Sequence, residues 1–202
     1  MMLDADSLIG GFSNPVFDAQ TVFRAVMDGM ARPGSRQTIG LGLQPPAPFG
    51  LAQAAIALTL CDVDTPVWLS TGLAKGAVPN WLSFYTGAVT VPQKADAHFA
   101  FFEGGSPLPA FGQFSGGTQD YPDRSATLVY ELPSLDGGDV LVLTGPGIED
   151  KATVAPHHLP EGFLRQWQDN RALFPRGVDV VLTAGRDFLC LPRSCAIALK
   201  EA

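Results

Sequence analysis

The sequence predicts an α/β fold: a mixed sheet covered by helices in a three-layer αβα arrangement. Helix-period segments alternate with short apolar runs that read as strands, and two of the joins between runs read as hairpin turns. In addition, 46% of the 202 residues are hydrophobic and only 16% are charged, which is ample material for the core of one domain spanning 1–202.

The first helix is expected over residues 18–32, because Phe23, Val26, Met27 and Met30 fall on one face before Pro33-Gly34 ends it. A second is expected over 49–61, where Leu51, Ala55, Ile56, Leu58 and Leu60 leave little polar circumference and predict burial. Residues 66–70, Pro-Val-Trp-Leu-Ser, read as a short strand. Trp81, Phe84 and Tyr85 mark one face of a short helix and are expected in the core rather than as a stacking platform. Strands follow at 97–102, 126–132 and 139–143, each bounded by Gly, Pro or Asp. Asp136-Gly137-Gly138 between the last two predicts a hairpin turn. A helix over 160–172 turns Phe163, Leu164 and Trp167 inward, and Phe174-Pro175-Arg176-Gly177 leads into a strand over 178–183. Gly185-Arg186-Asp187 then turns the chain into a strand over 188–191. The chain shows neither an internal repeat nor a linker.

The net charge of −7, without a cluster of Lys or Arg, opposes binding to bare nucleic acid or to an anionic membrane. Residues 37–61 carry no charge, but Pro45, Pro46 and Pro48 interrupt them and Gln44 and Gln53 would need partners in lipid, so no membrane span is expected. Met1-Met2-Leu3-Asp4-Ala5-Asp6 puts acid where a secretory signal puts base. Cys61, Cys190 and Cys195 form an odd, sparse set that suits a reducing cytoplasm and buried thiols.

The motifs that could carry chemistry miss their spacings. Asp62-Val63-Asp64-Thr65 is a candidate acidic site like the opening of aspartyl-phosphate phosphatases, yet their threonine stands two residues after the second aspartate, where this chain has Pro66. An Asx-type turn into a strand accounts for it. His157-His158 are sequence neighbours that point to different sides of most backbones, and Cys190 and Cys195 lack a second ligand pair, so no metal is expected. The histidines read as a surface loop. No serine has the nucleophile-elbow spacing, and Thr144-Gly145-Pro146-Gly147-Ile148 reads as a turn rather than a phosphate loop, because proline removes an amide donor. Arginine offers a weaker pattern. Arg32, Arg124, Arg176 and Arg193 stand near prolines in loops that could present guanidinium to the phosphates of a nucleotide, with Arg193 foremost.

Several blocks carry a family resemblance. They are Phe23-Arg24-x-x-Met27-x-x-Met30-x-x-Pro33-Gly34; Leu58-x-Leu60-x-Asp62-x-Asp64-Thr65-Pro66-Val67-Trp68-Leu69-Ser70; and Gly137-Gly138-x-x-Leu141-x-Leu143-x-Gly145-x-Gly147-Ile148. Phe174-Pro175-x-Gly177-x-Asp179 and Pro192-Arg193 complete the set. Together they resemble the H subunit of the bacterial carbon–phosphorus lyase system, which lets cells use phosphonates as a phosphorus source.

The resemblance implies a fold like that of the pyridoxal-phosphate-dependent transferases without the cofactor, a homodimer, and a core complex with the G, I and J subunits. That complex forms a ribose 1-phosphonate 5-triphosphate from a phosphonate and a nucleoside triphosphate, displacing the nucleobase. The resemblance supplies no catalytic residue, so the expected role is an accessory subunit that is inactive alone and binds no cofactor. A Schiff base would need Lys75, Lys94, Lys151 or Lys200, and none lies in a resembling block. The competing readings are a free-standing nucleotide- or phosphate-ester-binding enzyme, and a module that holds the nucleoside triphosphate through its loop arginines.

Overall fold

The computed structural model describes residues 10–200, so the acidic stretch from Met1 to Asp6 lies outside the described residues. Helix α1 (Pro15–Ala31) starts on a proline, which needs no amide partner there, and Asp18 accepts the Asn14 amide at 2.9 Å beside the positive helix end. It buries Val22, Val26 and Gly29, with Ala25 and Met30 packed alongside. The expected face is therefore rotated, since Phe23 is 48% and Met27 55% exposed. Gly29 sets the rotation: a Cβ there would lie 2.9 Å from the Cys190 sulfur, so only this side of the helix can approach the sheet.

Helix α2 (Leu51–Leu60) buries every residue from Ala52 to Ala57, as its composition predicts, and lies between α1 and α4 (Val78–Thr86). In α4 only Trp81 of the aromatic face is in the core, while Phe84 and Tyr85 are exposed. Tyr85 instead packs its ring against Trp81 and accepts the Gly11 amide at 3.2 Å. The one-turn helix α3 (Thr71–Ala74) precedes α4.

The main sheet contains β1 (Gln37–Thr38), β2 (Val67–Leu69), β3 (Phe99–Phe102), β4 (Thr127–Glu131), β7 (Asp179–Ala184) and β8 (Asp187–Leu191) in the order β1-β8-β7-β4-β3-β2. Strands β2, β3, β4 and β7 run parallel, and β8 returns antiparallel through the expected turn at Gly185-Arg186. A second, antiparallel sheet orders β6 (Ala152–Val154), β5 (Leu141–Thr144) and β9 (Ala196–Leu199).

Asp136-Gly137-Gly138 is thus not a hairpin turn between β4 and β5. Both edges of β4 are already bonded to β3 and β7, so the chain must leave the sheet. The segment crosses to the second sheet, and Gly138 donates to the Ala155 carbonyl at 2.9 Å.

The mixed sheet covered by helices is as expected, but its two covers differ. Val129, Val181, Phe101 and Cys190 face α1, α2 and α4. Leu128, Tyr130, Val180 and Leu182 face the other way, onto helix α5 (Phe163–Arg171), the small sheet and the aromatic loop of Phe111 and Phe114. The second cover is not a purely helical layer, because the segment between β4 and α5 alternates at strand period around Leu141 and Leu143.

Buried polar side chains join these layers. Gln53 on α2 accepts from Gly50 N and donates to the Phe102 and Val129 carbonyls at 2.9 and 3.2 Å. Asn170 brackets Val178 with two bonds and so fixes how α5 leads into β7. The Trp167 indole donates to the Cys195 carbonyl at 3.0 Å. Gln53→Leu keeps the volume but deprives three backbone groups of this partner. A loss of roughly 1–3 kcal/mol in unfolding free energy is expected from urea denaturation.

Candidate functional site

The structure places Arg193 just past β8, whose antiparallel course brings that end beside Asp179, the first residue of β7. The guanidinium binds Asp179 twice, Nε to Oδ1 at 3.1 Å and Nη2 to Oδ2 at 2.5 Å, and Nη1 donates to the Pro122 carbonyl at 2.6 Å. The Arg193 amide also donates to Asp179 at 2.7 Å. With the two side chains only 15% and 17% exposed, this pair clasps three loops together, and an incoming phosphate would have to displace Asp179.

Arg124 and Arg176 lie on loops bonded into the same end of the sheet. The Arg124 carbonyl accepts from Ser115, and Gly177 donates to Gly116 at 2.8 Å. The Arg124 guanidinium lies 4.2 Å from the Tyr121 ring centre. Arg176 is exposed at the rim of a 450 Å³ slot walled by Phe111, Phe114, Gly116, Gly177 and Asp169. Gly177 has φ +121, and a Cβ there would lie 2.7 Å from Asn170 Oδ1, so the slot needs glycine. Arg32 ends α1 on the helix-covered face, 3.2 Å from exposed Asp28. The structure thus gathers Arg124, Arg176 and Arg193, and Arg193 is the one most committed to structure.

Asp62 and Asp64 are exposed. Asp62 accepts the Thr65 hydroxyl at 2.7 Å and the Asp64 amide at 3.0 Å, an Asx-type turn into β2, and these bonds hold its carboxyl below the ordinary range. Among the described residues, no group of three or more His, Cys, Asp or Glu could hold a metal ion. The three thiols are buried and free; burial pushes Cys190 up to about 12 and Cys195 up to about 11, which removes nucleophilic character. The segment from Gly145 to Gly147 forms a turn after β5, and Gly147, at φ +82, passes against the Ala31 carbonyl.

Sequence reasoning missed the opposite end of the sheet. Ser70, Glu103, Glu131 and Thr183 each follow apolar residues at the carboxyl end of a parallel strand, a regularity visible only once the strands are aligned. Glu131 accepts the Thr183 hydroxyl at 2.5 Å and the Gly185 amide at 2.8 Å. Burial nonetheless raises its pKa, outweighing both bonds. Glu103 accepts the Gly72 amide at 3.0 Å, while its Oε2 and the Ser106 hydroxyl are buried without partners. Tyr130 donates to the Ser106 carbonyl, and burial raises its phenol as well. This is where open α/β sheets bind ligands. Here the backbones of Gly50 and Gly72 approach the two carboxylates closely, since a Cβ on either would lie within 2.7 Å of them.

His157 and His158 meet edge to face with ring centres 4.1 Å apart, and both line an open cleft of about 570 Å³ on the second cover. No helix among the described residues is long and apolar enough to cross a membrane.

The fold and its loops thus define a layered α/β protein in which Arg193, Asp179 and Glu131 are bonded into the structure. Residues 10–198 match the family model described as bacterial phosphonate metabolism protein (PhnH), and the chain belongs to that family. It is 54% identical over 185 residues to the alpha-D-ribose 1-methylphosphonate 5-triphosphate synthase subunit PhnH of Rhizobium meliloti (strain 1021), covering 92% of each chain. It is 28% identical over 184 residues to a putative C-P lyase subunit protein, HtxG, of Stutzerimonas stutzeri, covering 91% of this chain and 87% of that one.

Two outcomes follow from these clasps. Arg193→Ala strands a mostly buried carboxylate, so the expected loss lies at the lower end of the roughly 3–5 kcal/mol typical of a broken buried pair. A double-mutant cycle with Asp179→Ala, read by denaturation, should show most of it as coupling.

Glu131 has a folded pKa above its unfolded one, so its stabilising contribution is complete below the unfolded value and is lost as pH rises through the folded value. Glu131→Gln removes that loss. Its urea midpoint should gain on wild type as pH is raised above 4.5, the ordinary glutamate value.

Proposed function

We propose that the chain is a non-catalytic, accessory subunit of the carbon–phosphorus lyase core complex, the alpha-D-ribose 1-methylphosphonate 5-triphosphate synthase of organic phosphonate catabolism. In this reading it supports displacement of the nucleobase from a nucleoside triphosphate by a phosphonate. The observation that carries the reading is the 54% identity to a subunit of that name across 92% of both chains. The commitment of Arg193, Asp179, Asp62, Glu131 and all three thiols to structure agrees with it.

The chain acts in the cytoplasm as one domain, a homodimer that joins the G, I and J subunits. Val16, Phe17, Phe23 and Met27 on α1 are apolar and exposed, which supports a protein partner on that helix. A nucleoside triphosphate, where this subunit touches it, meets the exposed loop arginines Arg124 and Arg176, while Arg193 and Arg32 act through their ion pairs. The layered fold is read as kin to the pyridoxal-phosphate-dependent transferases, kept without the cofactor. In support of that reading, Lys75, Lys151 and Lys200 are exposed, and the Lys94 ammonium lies 5.0 Å from the Trp68 ring centre.

Co-expression with the G, I and J partners tests this. The chain should co-elute with them, and nucleobase release from ATP should require it while the isolated chain shows none. Elution of this chain alone, beside an active complex that lacks it, would overturn the proposal.

A further inference from the structure

The cleft beside the two histidines has no role in the assembly reading. It opens where the crossing into the small sheet meets the start of α5, and its volume, about 570 Å³, is that of a small-molecule site. Four ionisable side chains line it: Asp139 from the crossing, His157 and His158 from the loop after β6, and Arg165 from the first turn of α5. Buried Leu141 and Phe163 form its apolar part. Among the described residues, Arg165 and Asp139 form no ion pair, unlike Arg32, Arg36 and Arg193.

The local backbone is unusual at the same place. His158 has φ +57, the one non-glycine residue in the left-handed region among those described. That conformation costs on the order of 1 kcal/mol, and at this loop it accompanies two imidazoles meeting over the cleft. Gly162 caps α5 without a side chain; the Phe163 amide donates to the Pro160 carbonyl at 3.1 Å, which leaves the amides of Leu164 and Arg165, two cleft-lining residues, without a partner among the described residues.

An inorganic anion would use Arg165, the imidazoles and those amides, but it would leave Asp139 as a repulsive wall in a chain already at −7. A ligand carrying both a phosphate and hydroxyl groups uses all four side chains, because a carboxylate accepts hydroxyl protons as readily as a guanidinium binds phosphate.

We propose that this cleft binds a phosphorylated sugar. The phosphate lies at Arg165, His157, His158 and the start of α5, and the sugar hydroxyls donate to Asp139. The site is separate from Arg124 and Arg176, and it stands or falls independently of complex membership.

The full-length chain tests this by titration with ribose 5-phosphate, inorganic phosphate and ribose, with calorimetry for affinity and imidazole NMR signals for location. Ribose 5-phosphate should bind about tenfold more tightly than phosphate and shift His157 and His158, leaving the third histidine, His98, as an unmoved reference. Arg165→Ala should weaken binding about tenfold or more. Asp139→Asn should reduce the preference for the sugar phosphate over phosphate. His158→Asn tolerates the left-handed backbone while removing the ring, so its weakened binding would not reflect misfolding. Equal affinity for phosphate and ribose 5-phosphate, unmoved His157 and His158 signals at saturation, or unchanged binding by Arg165→Ala would each overturn the proposal.

Discussion

The molecule is organised by one constraint: its central strands are apolar on both faces. Leu128, Val129 and Tyr130 of β4 are buried in succession, as are Val180 to Thr183 of β7. Alternate side chains point to opposite sides of a sheet, so such a strand needs two covers. At roughly 25 cal/mol per Å² of apolar surface removed from water, neither face can be left open. The first half of the chain contributes α1, α2 and α4 to one face. The second half covers the other with α5, a small antiparallel sheet and the aromatic loop, where Phe102 stacks on Tyr130 and meets Phe114.

Double coverage also dictates where the polar groups go. Donors and acceptors at strand ends inside a covered sheet are shielded from water, and several are met by a side chain from elsewhere in the chain. Gln53 reaches from α2 to the Phe102 and Val129 carbonyls, Glu131 binds Thr183 and the Gly185 amide, and Asp179 receives Arg193. These bonds hold together loops distant in sequence. They also engage Gln53, Glu131, Asp179 and Arg193 in bonds that hold the layers in place.

The helices and main strands were legible in the sequence because each carries its own period: the apolar run of α2 and the turn between β7 and β8 lie where the pattern puts them. What failed depended on a partner. Phe23 and Met27 have helical spacing, but Gly29 against Cys190 decides which side of α1 meets the sheet. Gly137-Gly138 has the chemistry of a hairpin, but β3 and β7 had already taken both edges of β4. Strands β1, β6 and β9 are two to four residues long, too short to show a period. The proline-flanked loop of Arg193 was visible in the sequence, but its partner Asp179, fourteen positions away, was not.

The same dependence explains why the candidate binding region had no motif. Its side chains come from three separate segments, around Asp139, His157 and Arg165, which adjoin only because the second cover combines a sheet with a helix. A sheet and a helix present surfaces of different shape, and the cleft opens along the seam between them. The first cover packs the alanines of α2 between two helices, and part of the apolar surface it shows to solvent lies on the outside of α1. A partner seated on α1 therefore lies across the main sheet from the cleft. Assembly and ligand binding need not compete, and a subunit can hold a small molecule while its other face holds the complex.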